Sequence, residues 1–412
     1  MCGNFTLLNK SMMNSNKLDF FKELYSYLND KPINLKELFG QRTEELGLSN
    51  RQLESGLNIE RKSLNAILEQ DAQRIDVINL LKIGSFLNKD FEDTIKILVA
   101  NLPIESIKEL ERARRFNFIV NNFDIKALKS ARFFDSIAEF DEIENRLKLF
   151  FGLQNIFDYE RQIGAVFSKT RRNGNNKMLD FWVKSTYAYA EKVNNPNDFD
   201  RSALKEIIPK IKSQTRDIKK GLPTVIKALY NIGVTVIYQT YLPNTQVRGA
   251  TYIINNKPYI IITNLNKNYA TLWFALLHEL YHVLFDFDEI KNNTFHLTGE
   301  NDLLILSEDK ADNFARQYFL TDDRAKYIYP FIHEKIIIER YAETIKIHTS
   351  LIYNFYCHDK DKEGKNYHGA FQKYMPDITE ITQSLNATIW QKETIEDSVA
   401  EFNNLLITKI QL

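Results

Sequence analysis

Cysteine is nearly missing from this chain, which has two residues of it, Cys2 and Cys357, in 412. So sparse and widely spaced a pair excludes a disulfide framework and any metal site built from cysteines. Long apolar runs are missing as well: no charge-free stretch reaches the roughly 18 residues a membrane helix needs. Met1-Cys2-Gly3-Asn4-Phe5 does not lead into a secretory hydrophobic segment, so a cytoplasmic protein with no membrane partner is expected. An excess of charge of either sign is also lacking. Lys+Arg and Asp+Glu both number 54, so the whole chain exerts no general pull on nucleic acid or anionic surfaces, and any such binding has to be local. What remains is ordinary globular material, 44% hydrophobic and 12% aromatic, long enough for two or three packed domains. Loss of Met1 would expose a Cys-Gly start of the kind used by amidotransferases with N-terminal nucleophiles, but nothing downstream supports that fold. A role for Cys2 in masking a metal has no support in the sequence either.

Against this plain background stands His278-Glu279-Leu280-Tyr281-His282. On a helix, positions i and i+4 lie one above the other, so both imidazoles can reach a single zinc ion. Glu279 points about 100° away from His278. That offset suits it to act as a base on water rather than as a ligand. Trp273, Leu276, Leu277, Leu280, Val283 and Leu284 fall in a stripe roughly 120° wide opposite His278. The small Thr271 and Ala275 lie on the histidine side. One face is therefore expected to be buried and the other to leave room for a metal and a substrate. A chance HExxH in a buried helix would need no metal, each histidine simply hydrogen-bonding a neighbour. A third ligand separates the two readings.

Ser307-Glu308-Asp309-Lys310-Ala311-Asp312-Asn313-Phe314-Ala315 supplies a candidate. Ser307 suits a helix N-cap, and Glu308 and Asp312, four apart, share a face. Ala311 and Ala315 would let this helix approach the first closely. A carboxylate at Glu308 completes a His/His/Glu set with an open fourth position, as a catalytic zinc site requires. Asp312 is placed to accept the free ring N–H of a ligating histidine. The competing reading is an acidic helix start that merely complements the helix dipole.

His278-Glu279-x-x-His282 followed by Glu308-x-x-Ala311-Asp312-x-Phe314-Ala315 resembles the ImmA/IrrE metallopeptidases, whose core is a minimal zincin of the gluzincin kind. The resemblance extends to the lead-in, a hairpin of Gly249-Ala250-Thr251-Tyr252, a turn at Asn255-Asn256-Lys257-Pro258, and Tyr259-Ile260-Ile261-Ile262-Thr263. It implies zinc binding by His278, His282 and Glu308 and a catalytic base at Glu279. In zincins an edge strand near the site also pairs with an extended peptide substrate. Two departures are evident: Tyr281 replaces the usual glycine, and the segment after Ala315 lacks the usual closing proline. Tyr318, His333, His348, His358 and His368 are left as candidates for the oxyanion stabiliser such a site uses.

Leu48 to Gln70 carry helix-turn-helix spacing. Ser49 suits a cap, Asn58 a left-handed turn, and Leu53, Ile59, Leu64 and Ile67 the core, with Leu35, Leu38, Phe39, Ile78, Leu81, Ile83 and Leu87 on flanking helices. The pattern resembles the Cro/repressor (XRE) type. A recognition helix from Glu60 would offer Arg61, Lys62 and Asn65 to double-stranded DNA. Residues 34–90 hold eight Lys or Arg against nine Asp or Glu, however, which suits protein docking as well as DNA. Glu54 also stands where the family usually has alanine.

Between these regions the chain reads as Phe-rich amphipathic helices, with a basic loop at Ser168 to Lys177 and a boundary at Asn195-Pro196-Asn197-Asp198. The expected class is α+β: a helix-turn-helix domain at 34–92, a helical linker domain at 104–194, and a zincin-like domain with helical tail at 200–412. The expected function is that of a zinc endopeptidase acting on a protein partner such as a repressor or antitoxin, with Zn2+ as cofactor. The rival is a DNA-binding regulator or antitoxin whose zinc is structural or sensory.

Overall fold

The computed structural model describes residues 34–69, 71–72, 75–100, 104–162, 176–293, 295–298, 308–379, 381, 385 and 389–407. Cys2, Ser307 and all of the basic loop before Asn176 fall outside them. The chain is α+β, mostly helical with one small sheet, and divides into two compact units, Met1–Asn117 and Phe118–Leu412.

The first unit is a set of helices, α1 (Leu35–Glu45), α2 (Asn50–Leu57), α3 (Arg61–Leu68), α4 (Val77–Phe86) and α5 (Phe91–Ala100). Ser49 caps α2 with a reciprocal capping box to Gln52, and Asn58 ends it at φ 49°. That left-handed turn is one a short polar side chain tolerates. Leu35, Phe39, Leu53, Ile59, Leu64 and Ile67 form the core as expected. The inner face of α4 differs from the expectation. Leu80 and Ile83 are buried, while Ile78 and Leu81 are 63% and 41% exposed. Gly84 explains the rotation: a Cβ there would lie 2.2 Å from Thr94 Oγ1, so α4 presents its Gly84 side to α5.

The second unit is organised by the sheet. Helices α6 (Ile104–Asn122, which runs in from the first unit), α7 (Ile125–Ser130), α8 (Phe140–Phe151), α9 (Lys177–Val193), α10 (Arg201–Gln214) and α11 (Gly221–Tyr230) come first. Strands β1 (Thr235–Gln239), β2 (Gly249–Ile254) and β3 (Lys257–Thr263) follow, then α12 (Tyr269–Phe285), α13 (Phe287–Asn293) and β4 (Phe295–Thr298). The chain ends in α14 (Glu308–Phe319), α15 (Asp322–Ile328), α16 (Lys335–Thr344), α17 (Thr349–Lys362) and α18 (Ile395–Ile407). Strand order is β1-β3-β2-β4, with β1 parallel to β3 and the other pairs antiparallel. The β2–β3 turn is Asn255-Asn256 with φ 52° and 63°. Positive φ at both positions is the twist a two-residue hairpin requires.

Each face of the sheet has its own core. Val236, Tyr238, Ile260 and Ile262 face one layer with α10, α11, α12 and α17. Ile237, Ala250, Tyr252, Tyr259 and Ile261 face the other, where they meet Trp182, Val183 and Tyr189 of α9 and Phe402 of α18. Burial on both faces is why these strands read as continuous apolar runs. Residues from Phe118 to Val193 therefore share a core with the sheet, in contrast to the three-part division expected at 104–194 and 200–412. Their rings make that layer: Phe133, Phe150, Phe151 and Phe181 interlock largely edge to face. Phe116, one of the phenylalanines of the Phe-rich middle region, is 48% exposed and lies outside this core.

Arg146 of α8 ties the C-terminal segment to this layer. Its guanidinium donates to the carbonyls of Phe133 (3.1 Å), Trp390 (3.2 Å), Lys392 (2.6 Å) and Glu393 (2.7 Å) and lies over the Phe133 ring. A planar fork of donors serves several acceptors at once, which an ammonium cannot. Arg146→Met is expected to lower stability by about 2 kcal/mol in urea denaturation, because it leaves half-buried carbonyls without a donor. An unchanged midpoint would mean the C-terminal segment is held by its apolar contacts alone.

Candidate metal centre

The centre is built by α12 and α14. Asn268 caps α12, its side chain accepting from Ala270 N–H at 2.8 Å while its Nδ2 donates to Asn354 of α17. The helix then runs through the core on one face of the sheet with almost every side covered. Trp273, Leu276, Leu277, Leu280 and Val283 are buried as expected, but so are His278, Glu279 and His282. The histidine rings are thus buried, while the Glu308 and Asp312 side chains beside them stay partly exposed. α14 covers the rings: Ala311 and Ala315 are fully buried, and their lack of bulk allows the close approach. Arg316, one turn beyond Asp312, bonds Asp359 of α17 at 2.7 Å and lies over Phe355, holding α14 in place.

The two helices bring three donors together. His278 Nε2 is 3.1 Å from His282 Nε2 and 3.3 Å from Glu308 Oε2, and His282 Nε2 is 3.3 Å from Glu308 Oε1. Metal–ligand bonds of about 2.0–2.1 Å at a tetrahedral angle separate donor atoms by about 3.3 Å. The set therefore fits one divalent ion. Among the described residues these three form the one such group, and no fourth His, Cys, Asp or Glu joins it.

The outer nitrogens fix the chemistry of the inner ones. His278 Nδ1 is 2.8 Å from Asp312 Oδ1, and His282 Nδ1 is 2.7 Å from Asp286 Oδ2. Each Nδ1 must carry the proton to meet a carboxylate, so each Nε2 is left with a lone pair. Two lone pairs and a carboxylate then converge on one point, which repel one another unless a proton or a metal cation sits between them. The same imbalance governs protonation. Burial works against a charge on His278, yet its hydrogen bonds to Asp312 and Glu308 and the charges of Glu279 and Glu308 outweigh that and push it up to about 10. His282 is also raised, burial again being overcome by Glu308, Glu279 and Asp286. Surroundings that attract a proton so strongly attract a metal cation for the same reason.

Glu279 lies next to this set without joining it. It is fully buried, and its Oε2 accepts from Thr251 Oγ1 of β2 at 2.7 Å. The fold brings together His278, Glu279, His282, Glu308 and Asp312, all singled out in the sequence, and adds Asp286 and Thr251, which were not. Asp286 carried a signal, its spacing of four from His282 at the end of the helix. Thr251 carried none, because a strand residue's partner on a helix is set by packing.

The other residues singled out in the sequence are placed as follows in the fold. Tyr318 serves the fold: its hydroxyl accepts from Lys212 N–H at 2.9 Å and donates to the Ile208 carbonyl at 2.5 Å, joining α14 to α10. His348 caps α17, accepting from Ser350 N–H, His368 pairs with Asp361, and His333 stacks on Phe371. None of the tail histidines belongs to the ligand group. Strand β4 borders β2 from Gly249 to Tyr252, so β4 and β1 are the outer strands of the sheet. Tyr281 fills the seam against Phe314, with ring centroids 5.6 Å apart, and α14 ends without proline because Thr321 caps the next helix.

In the first unit Arg61, Lys62 and Asn65 are all exposed on α3, and Glu54 pairs with Arg61 Nε at 3.8 Å. Comparison with protein-family models, with curated proteins and with solved structures gives no match. The assignment of the site thus rests on donor geometry.

Metal analysis of the purified chain is expected to find about one zinc, lost in His282→Ala and in Glu308→Ala. Asp286→Asn and Asp312→Asn should each weaken zinc affinity about 10–100-fold in a chelator competition. Full metal content in Glu308→Ala would remove that carboxylate from the set.

Proposed function

We propose that this chain is a zinc-dependent endopeptidase of the ImmA/IrrE type, with a gluzincin-like site in the second unit and a regulatory helix-turn-helix in the first. The observation that carries this reading is the convergence of His278 Nε2, His282 Nε2 and Glu308 at 3.1–3.3 Å, beside a buried carboxylate that is not a ligand. Three protein ligands leave a coordination position open, whereas structural zinc sites are closed by a fourth. Zinc in that set supplies a Lewis acid that polarises a peptide carbonyl and lowers the pKa of water to about 7.

Glu279 does the proton work. Its carboxylate takes a proton from the attacking water as the new C–O bond forms. It returns that proton to the leaving nitrogen as the C–N bond breaks, so the chain ends the cycle unchanged. Asp312 and Asp286 keep both histidines in the tautomer that offers Nε2 to the metal. The substrate inferred from the resemblance is a protein, a repressor or antitoxin, whose cleavage switches on a stress or mobile-element response.

The rival, a DNA-binding regulator with a structural or sensory zinc, draws on the exposed Arg61, Lys62 and Asn65. The Glu54 carboxylate beside Arg61 works against the counterion release that duplex binding depends on, so the peptidase reading stands first.

Glu279→Gln is expected to keep its zinc while cleavage of the partner protein falls at least about 100-fold. Cleavage at the wild-type rate would take Glu279 out of the mechanism.

A further inference from the structure

Strand β2 meets α12 through alternate residues. Ala250, Tyr252 and Ile254 pack into the core on the far side of the sheet, so Gly249 and Thr251 face the zinc helix. Both act on the same group. The hydroxyl of the fully buried Thr251 donates to Glu279 Oε2 at 2.7 Å. At position 249 an added Cβ would stand 2.4 Å from Glu279 Oε1 and 3.0 Å from its Cδ. Neither residue is a ligand, and neither is required by the hairpin turn.

We propose that Gly249 and Thr251 form a socket that positions the Glu279 carboxylate, glycine supplying the space and threonine the anchor. The catalytic consequence rests on the peptidase reading above; the socket itself does not. A glutamate's terminal torsion is broad and roughly two-fold, so a carboxylate without an anchor samples many orientations. A hydroxyl bonded to an ionised acceptor is among the stronger hydrogen bonds and selects one. Threonine is the better anchor than serine on a strand, because its branched Cβ restricts χ1 and aims the hydroxyl. A base misplaced by about 1 Å loses about 100-fold in rate. Space at position 249 and a donor at position 251 are therefore two independent conditions on one atom group.

The test uses the full-length, zinc-loaded chain, fluorescein-labelled casein as the probe, and crystal structures of the variants. Thr251→Val, which keeps shape and removes the donor, should lower kcat about 10-fold with KM within about two-fold and zinc content unchanged. Thr251→Ser should recover most of that loss. Gly249→Ala should displace the carboxylate and lower kcat about 100-fold; if it fails to fold, Thr251→Val carries the test. In crystals the Glu279 carboxylate should leave its place in Thr251→Val and regain it in Thr251→Ser. If it stays in place in Thr251→Val, or kcat there equals that of wild type, the socket is refuted. If the wild type leaves casein intact while the crystals show the carboxylate displaced and restored, the socket stands and the peptidase reading is what fails.

Discussion

Two imidazole lone pairs and a carboxylate held at one point form the constraint from which the rest of this molecule follows. With neither a proton nor a metal cation between them these groups repel one another, and burial of the rings strengthens the repulsion because little water remains to screen it. The fold nevertheless enforces the arrangement. Asp312 and Asp286 claim the outer ring nitrogens, so neither histidine can relieve the clash by changing tautomer. Ala311 and Ala315 bring Glu308 down onto the rings, and the Arg316–Asp359 pair keeps that helix from backing away. Each of these devices holds the donors in the geometry a cation needs and so contributes to affinity for it.

The sheet supplies the rigidity this arrangement needs. It is packed on both faces, with α12 against one and the aromatic layer of α8 and α9 against the other. A strand so confined cannot shift without disturbing two cores. It follows that Gly249 and Thr251 hold their places beside Glu279 more firmly than loop residues could. The helices from Phe118 to Val193 are thus part of the site's support, and the Arg146 contacts fasten the C-terminal segment to the same layer.

What the sequence revealed and what it hid divide along one physical line. Features set by spacing along a single element were legible: the i, i+4 histidines, the Ser49 cap, the Asn58 turn, the paired asparagines of the hairpin, and the acidic start of α14 with its small residues. Asp286, four residues after His282 on the same helix, belongs to this class too. Features set by contact between distant elements were not legible. Thr251 reads as an ordinary strand threonine until α12 is laid across it. Tyr318 reads as a free phenol until α10 claims its hydroxyl. The division at 104–194 failed for a related reason: an amphipathic helix shows that it has an apolar face and not which surface covers it. The burial of the histidine rings of α12 was missed because a stripe wide enough to bury says nothing about the remainder once a second helix arrives.

The central claim is that His278, His282 and Glu308 bind one zinc ion together. X-ray absorption at the zinc edge of the purified full-length chain tests it without reference to any substrate. The expected spectrum has a first shell of nitrogen and oxygen at about 2.0–2.1 Å with the outer-shell scattering of two imidazoles. A sulfur shell at about 2.3 Å, or a shell without imidazole scattering, would contradict it.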